Sequence, residues 1–241
     1  MDAPRQYLEE LRSELGYYPT WLPTDPVEVG DIGVFSRGVF RKAARLAALG
    51  IDFETRTAPT KNNFKKSRGI QFVLGSEFRA ESSVVDVTTR IRVGSKKAYN
   101  WAFGALGCRL VEFDDHLQVE AAILERARAG VWKKEWLVVS EVQLVDRLNL
   151  LVATTKDMEG YIVAKGTISS PGDALLAEEI ACHFDANDTF VVQNARNTRP
   201  LFGLRALRGL YKNKIVPVHG GSVEPRQAAL DKVSDAQMFE D

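Results

Sequence analysis

The sequence predicts an α+β fold, a central twisted and mostly antiparallel sheet with surrounding helices. Three observations carry this. Residues 70 to 80 and 84 to 93 alternate apolar and polar side chains with a period of two; a second strand-rich block runs from Trp136 to Ile168; and helical spacing occurs in shorter stretches between them. Strand blocks separated by helices are the α+β pattern rather than regular βαβ alternation. With 241 residues, 45% of them hydrophobic and 27% charged, the chain can bury one sizeable core.

Residues 4 to 15 read as an amphipathic helix with Tyr7, Leu8, Leu11 and Leu15 on one face, started by Pro4 and ended by Gly16. Asp31–Phe35 and Val39–Arg41 flank Ser36-Arg37-Gly38 as a tight hairpin, and residues 41 to 49 have the composition of a short Ala-rich helix closed by Gly50. From Thr55 to Arg68 the composition is that of a polar, basic loop. Residues 95 to 106 read as helical; Leu110–Phe113 is a short strand. Asp114 or Asp115 caps a helix running to Gly130, with Val119, Ala122, Ile123 and Ala127 inward. Strands are expected at 136–145, 148–153 and 161–168, with turns at Asp146-Arg147 and Lys156–Gly160. Ser170-Pro171 starts a helix through Ala181, Phe190–Val192 is apolar, and 225 to 237 form a short, weakly apolar helix beyond a Gly220-Gly221-Ser222 hinge.

The 32 basic and 32 acidic residues cancel, which argues against a dedicated nucleic-acid binder, since phosphate neutralisation needs a basic surplus. The first residues have no apolar signal-peptide core and no run approaches the ~20 apolar residues of a spanning helix, so a cytoplasmic resting protein is expected. Cys108 and Cys182 read as buried thiols. His116, His183 and His219 stand in no metal or catalytic motif, Cys182-His183 suit neither a nucleophile–base pair nor two ligands on one helix face, and no glycine-rich phosphate loop follows a strand. Asp114-Asp115 are explained by helix capping and Glu178-Glu179 by a solvated helix face. No catalytic residue, cofactor or metal is expected. Lys61, Lys65, Lys66 and Arg68 suit a solvated loop. Arg205, Arg208, Lys212 and Lys214 interleave with Leu204, Leu207, Leu210 and Tyr211, a pattern compatible with an ordinary surface element or an anionic membrane.

Three stretches together resemble the bacterial gasdermins. They are the opening helix with Leu15-Gly16-Tyr17 and Trp21-Leu22-Pro23, leading to Leu49-Gly50-Ile51; Glu135–Val142 with the segments after it; and Thr198–Leu207. The resemblance implies a gasdermin N-domain-like fold over residues 1–221 and a short inhibitory tail over 222–241. It further implies a soluble monomer, a protease that removes the tail, and self-assembly on the inner membrane into a β-barrel pore of bacterial cell death and antiphage defence. Under this reading Ile70, Phe72, Leu74, Phe78, Val85, Val87, Ile91 and Val93 belong to one inserting pair of strands. Trp136, Val138, Val142, Leu150, Val152 and Ile162 belong to a second, over 136–145 and 148–168. Spanning strands are ~9–11 residues long and alternate apolar-out and polar-in, which would turn Arg79, Asp86, Arg90 and Arg92 to the lumen. Lys65, Lys66, Arg68, Arg205, Arg208, Lys212 and Lys214 would touch lipid, and Leu230, Val233 and Phe239 would hold the tail against the body. The family commonly carries an acylated cysteine near its N-terminus, whereas position 3 here is Ala3. A binding or scaffold protein of the same fold, acting through partner contacts, is the alternative; an enzyme without a local motif is a third.

Overall fold

The computed structural model describes residues 9, 11–13, 16–20, 27–36, 39–58, 62–74, 88–166, 168–177, 179–185, 187–208 and 229–232. Among these the architecture is two antiparallel sheets and few helices, so the α+β expectation with a mostly antiparallel sheet holds. Of the N-terminal helix, Leu11–Ser13 are helical, Leu11 is fully buried, and Gly16 stops the chain with φ 73° while its N–H donates to the Arg12 carbonyl.

The large sheet contains nine strands. They are β1 (Tyr18–Pro19), β2 (Asp31–Ser36), β3 (Val39–Arg45), β4 (Thr55–Thr57), β5 (Asn62–Arg68), β8 (Trp101–Phe113), β9 (Leu137–Ala153), β12 (Thr189–Arg208) and β13 (Ala229–Lys232). The small sheet is β6 (Ile70–Leu74), β7 (Thr88–Ser95), β10 (Met158–Lys165) and β11 (Glu179–Phe184), in the spatial order β11-β10-β7-β6. One full α-helix is described, α1 (His116–Arg128). Asp115 caps it by accepting from the Leu117 and Gln118 N–H groups, and Gly130 follows it at φ 73°, as expected. Its buried residues Val119, Ile123 and Leu124 pack with Val138, Val142 and Phe202 of the sheet.

The 17-residue β9 is the trunk. β12 pairs along one of its edges; β2 and then β8 pair along the other. Its two faces belong to different cores: Leu148, Leu150 and Val152 pack with Trp101 and Phe103, while Leu151 and Ala153 face the small sheet. Burial on both faces explains the unbroken apolar run Leu150–Ala153 at its end.

Several expected elements are corrected. No turn interrupts β9 at Asp146-Arg147, because Asp146 is ion-paired with Arg109 and Arg147 donates to the Ala177 carbonyl, so both polar side chains are satisfied without leaving the ladder. Residues 101–106 are strand, not helix. Trp101, Phe103 and Ala105 share one face, and small Ala102 and Gly104 the other. Large-and-small alternation has period two, and counting only the bulky residues hid it. The expected loop at 55–68 is β4 and β5, both paired with β8. Among the described residues β5 pairs on one side only, and lysines and arginines are the composition of such an edge strand. The expected helix at 41–49 is strand as far as Arg45, held by the pairs of Lys42 and Arg45 with buried Asp31, and only Leu46–Leu49 turns as a 3-10 helix before Gly50 at φ 67°. The helix expected through Ala181 is a single 3-10 helix, Pro171–Leu176, followed by β11. In the tail, residues 229–232 are the strand β13 rather than helix.

Truncating Leu148, wholly buried in the trunk, to Ala is expected to cost about 2–5 kcal/mol. Urea unfolding followed by tryptophan fluorescence checks this.

Candidate functional site

The described residues are not organised around a conventional catalytic pocket. An open depression of about 370 Å³ lies between Asp52–Glu54 and the start of α1, and its Asp115 is already the helix cap. What the fold builds instead is a four-stranded sheet folded back on the body.

Each small-sheet strand runs directly into a large-sheet strand: β5 into β6, β7 into β8, β9 into β10, and β11 into β12. The large sheet places β12, β9, β8 and β5 side by side, and the small sheet places β11, β10, β7 and β6 in the same order. The small sheet is therefore the middle of the large one, bent over at four corners. Register is preserved between the two central pairs. Ser95 lies opposite Met158, and Trp101, six residues on, lies opposite Val152, six residues back. Strands that switch sheets in this way need local bends. Gly69 bends at φ 69°, where a β-carbon would lie 2.2 Å from the Asn100 side chain; Tyr99 and Asp157 take φ 63° and 57° at the next two corners. Asn100 ties the first two corners together, its Nδ2 donating to the Gly69 carbonyl and to Ser95 Oγ.

The sheet has two chemically distinct faces. Across the strands the inner face reads Leu74–Ile91–Ile162–Cys182, then Phe72–Val93–Gly160–Phe184, with Ile70, Met158 and Ile180 beside them. Except for Leu74, which is exposed, the apolar side chains among these pack on Ala102, Leu151 and Ala153 of the large sheet. The outer face reads Val73–Arg92–Tyr161–His183, with Arg90, Glu159, Lys165 and Glu179. There the Arg90 guanidinium lies 3.7 Å from the Tyr161 ring centre, Tyr161 stacks on His183 at 4.4 Å, and Lys165 pairs with Glu179 at 2.9 Å. Cys182 and His183 thus point to opposite faces. Burial pushes the Cys182 thiol up to about 12 and the Cys108 thiol up to about 11; neither forms a disulfide.

The connection from β10 to β11 is wedged between the sheets. Ala174 and Leu175 of the 3-10 helix are buried, and buried Asn149 donates to the Leu175 carbonyl at 2.9 Å. Gly104 permits this approach, since a β-carbon there would sit 2.4 Å from that carbonyl oxygen. Asp173 accepts from the Ser170 N–H and hydroxyl and from Lys65. The Lys65 hydrogen bond, then that of Ser170, holds its carboxyl below the ordinary range.

The residues expected in the two inserting pairs divide clearly. Ile70, Phe72, Leu74, Ile91, Val93 and Ile162 are brought together on the inner face. Trp136, Val138, Val142, Leu150 and Val152 are not with them: Trp136 is half-buried beside Trp132, and the other four are buried in the trunk. β9 and β10 lie in different sheets, and β10 pairs with β11 on one side and β7 on the other. Sequence reading missed β11 because it assigned 179–181 to a helix, although Ile180, Cys182 and Phe184 do alternate with Glu179, Ala181 and His183. Phe78, Arg79, Val85, Asp86 and Val87 lie outside the described residues, as do Lys212, Lys214, Val233 and Phe239. Of the expected lipid-contacting cations, Lys65 is engaged by Asp173, Lys66 and Arg68 are exposed on edge strand β5, and Arg205 and Arg208 lie at the end of β12 in register with the tail strand, which pairs position 230 with position 207.

The chain matches no protein-family model, no curated protein and no solved structure. None of the described helices is long and apolar enough to cross a membrane.

Asp173→Asn is expected to loosen the wedge at neutral pH. Because the folded carboxyl titrates lower than the unfolded one, its contribution is present above the unfolded value of about 3.9 and disappears as pH falls through the folded value. The stability gap between wild type and variant should therefore close on acidification, as denaturant midpoints measured from pH 7 to pH 2 would record.

Proposed function

We propose that this chain is a pore-forming protein of the gasdermin type, which rests as a monomer, is released by proteolysis of its C-terminal segment, and inserts strands into an anionic membrane. One observation supports the reading above the others: the equal strand order of the two sheets. Straightening the four corners joins 62–74, 88–113, 137–165 and 179–208 into four long antiparallel strands without exchanging any strand's neighbours. A membrane accepts strands only when every backbone group is paired, so a conversion that keeps its ladders avoids the largest cost of insertion. Each pair of small-sheet strands, with its connecting segment, has enough chain for two spanning strands of ~9–11 residues and a turn.

The faces suit the two environments. Ile91, Ile162 and Ile180, now covered by the large sheet, and Leu74, on the same face but exposed at the sheet's edge, would meet lipid; Arg90, Arg92, Tyr161 and His183 would line water. The inserting units of this proposal are 70–95 and 158–184, with β9 staying in the body. The restraint is β-pairing: residues 229–232 occupy the edge of Arg205–Arg208. The basic side chains near these edges would meet anionic headgroups. On this reading the protein is not an enzyme, needs no cofactor, binds no nucleic acid, and moves from the cytoplasm to the inner membrane of a bacterium in a cell-death or antiphage response.

The test uses the full chain carrying a site for a sequence-specific protease between residues 212 and 222. Mixed with anionic vesicles holding a trapped dye, it should release dye only after cleavage. Absence of release before and after cleavage sinks the pore and leaves the partner-binding alternative. A second measurement follows the faces. Val73 and Leu74 are 57% and 48% exposed, so cysteines placed there are tolerated and can carry a polarity-sensitive fluorophore. On vesicles after cleavage, the label in Leu74→Cys should report lipid and that in Val73→Cys water; equal signals at both would contradict spanning strands.

A further inference from the structure

Among the described residues the small sheet ends on one side at β11, and the outward edge of that strand is not left open. Ile180 and Cys182 turn their peptide groups away from β10, as alternate residues of a strand do. There the side chain of Asn194 fills the role of a neighbouring peptide. The Ile180 N–H donates to Asn194 Oδ1 at 3.1 Å, and Asn194 Nδ2 donates to the Ile180 carbonyl at 2.7 Å. Two residues on, the Cys182 N–H donates to Gln193 Oε1 at 2.9 Å. Both amides come from a bulge in β12, where the register with β9 breaks between Val192 and Ala195 and Asn194 sits at φ 52°. Buried Asn149 holds the bulge by accepting from the Asn194 N–H at 2.7 Å.

An edge strand presents unpaired donors and acceptors that template another strand, and proteins block such edges. Here the block is two side chains, removable without breaking any strand ladder. At the opposite end of the sheet, β6 bonds no strand on its outer side among the described residues. The four strands alternate in direction, so β11 and β6 run oppositely. A second copy docking its β6 on β11 continues the antiparallel pattern without a fault, and the contact is head-to-tail, the kind that generates rings.

We propose that Asn194 and Gln193 form a latch on β11, and that the edge they occupy is the surface on which a second copy pairs its β6. The proposal rests on the pore reading for its purpose but not for its test. Asn194→Gly removes the amide while suiting the positive φ; Gln193→Ala removes an exposed side chain and serves as the second variant. In the full-length, uncleaved chain, amide exchange at Ile180 should accelerate on the order of tenfold in the first variant, and at Cys182 in the second. Unchanged exchange in both overturns the latch.

The partner is read by cross-linking. With Gln71→Cys and Ala181→Cys together in a chain that also carries Asn194→Gly, oxidation should give a covalent ladder, whereas the same pair with the latch intact, or either cysteine alone, should give none. Dimers from Ala181→Cys alone would show β11 pairing with itself, and an absent ladder would also overturn the proposal. If cleaved wild type releases no dye, the pore reading fails separately. The edge proposal is then decided by the same ladder in solution with Asn194→Gly, its appearance supporting the contact and its absence overturning it.

Discussion

Four strands must leave one sheet and enter another at the same level, in the same order. This constraint organises the molecule. A single strand bending alone would tear its ladder on both sides, leaving buried peptide groups unpaired. Because all the bends align, the two central pairs keep one register through the corner, and the Tyr99 N–H and Asn100 carbonyl still exchange bonds with Ala153 there. The left-handed conformations at Gly69, Tyr99 and Asp157 are local costs of that alignment. Burial of the inner apolar face against Ala102, Leu151 and Ala153 offsets them.

The bend is held by a few polar contacts that are separate from the core. Asn149 reaches the Leu175 carbonyl with one end of its amide and the Asn194 N–H with the other, joining trunk, wedge and bulge. A buried amide satisfied at both ends specifies one arrangement strongly, and losing either partner leaves a costly unmet group. Lys65 with Asp173 and Arg147 with the Ala177 carbonyl add contacts nearer solvent. The small sheet is thus tied to the body by polar links that stand outside its strand ladders, in addition to its buried apolar face.

Much of the fold was legible in the chain. The α1 helix, its Asp115 cap and its Gly130 stop follow from local rules, and β7 shows its buried Thr89, Ile91 and Val93 in the alternation itself. The errors share one cause. Residues 55–68 look like loop, 95–106 like helix and 146–147 like a turn when side chains are judged without their neighbours. Edge position explains the first, a wedge resting on Gly104 the second, and long-range partners for Asp146 and Arg147 the third.

Sequence alone, then, determined the two-faced character of the strands, because alternation is a property of consecutive residues. It placed Ile70, Phe72, Ile91, Val93 and Ile162 on apolar faces, as they are. Only the tertiary structure decided which strands share a sheet. Pairing depends on contacts between residues far apart in the chain, and so β11, not the trunk strand, is the fourth strand of the small sheet. The corners and the amide latch were hidden for the same reason: an asparagine at 194 has no local reason to face Ile180 until a bulge turns it there.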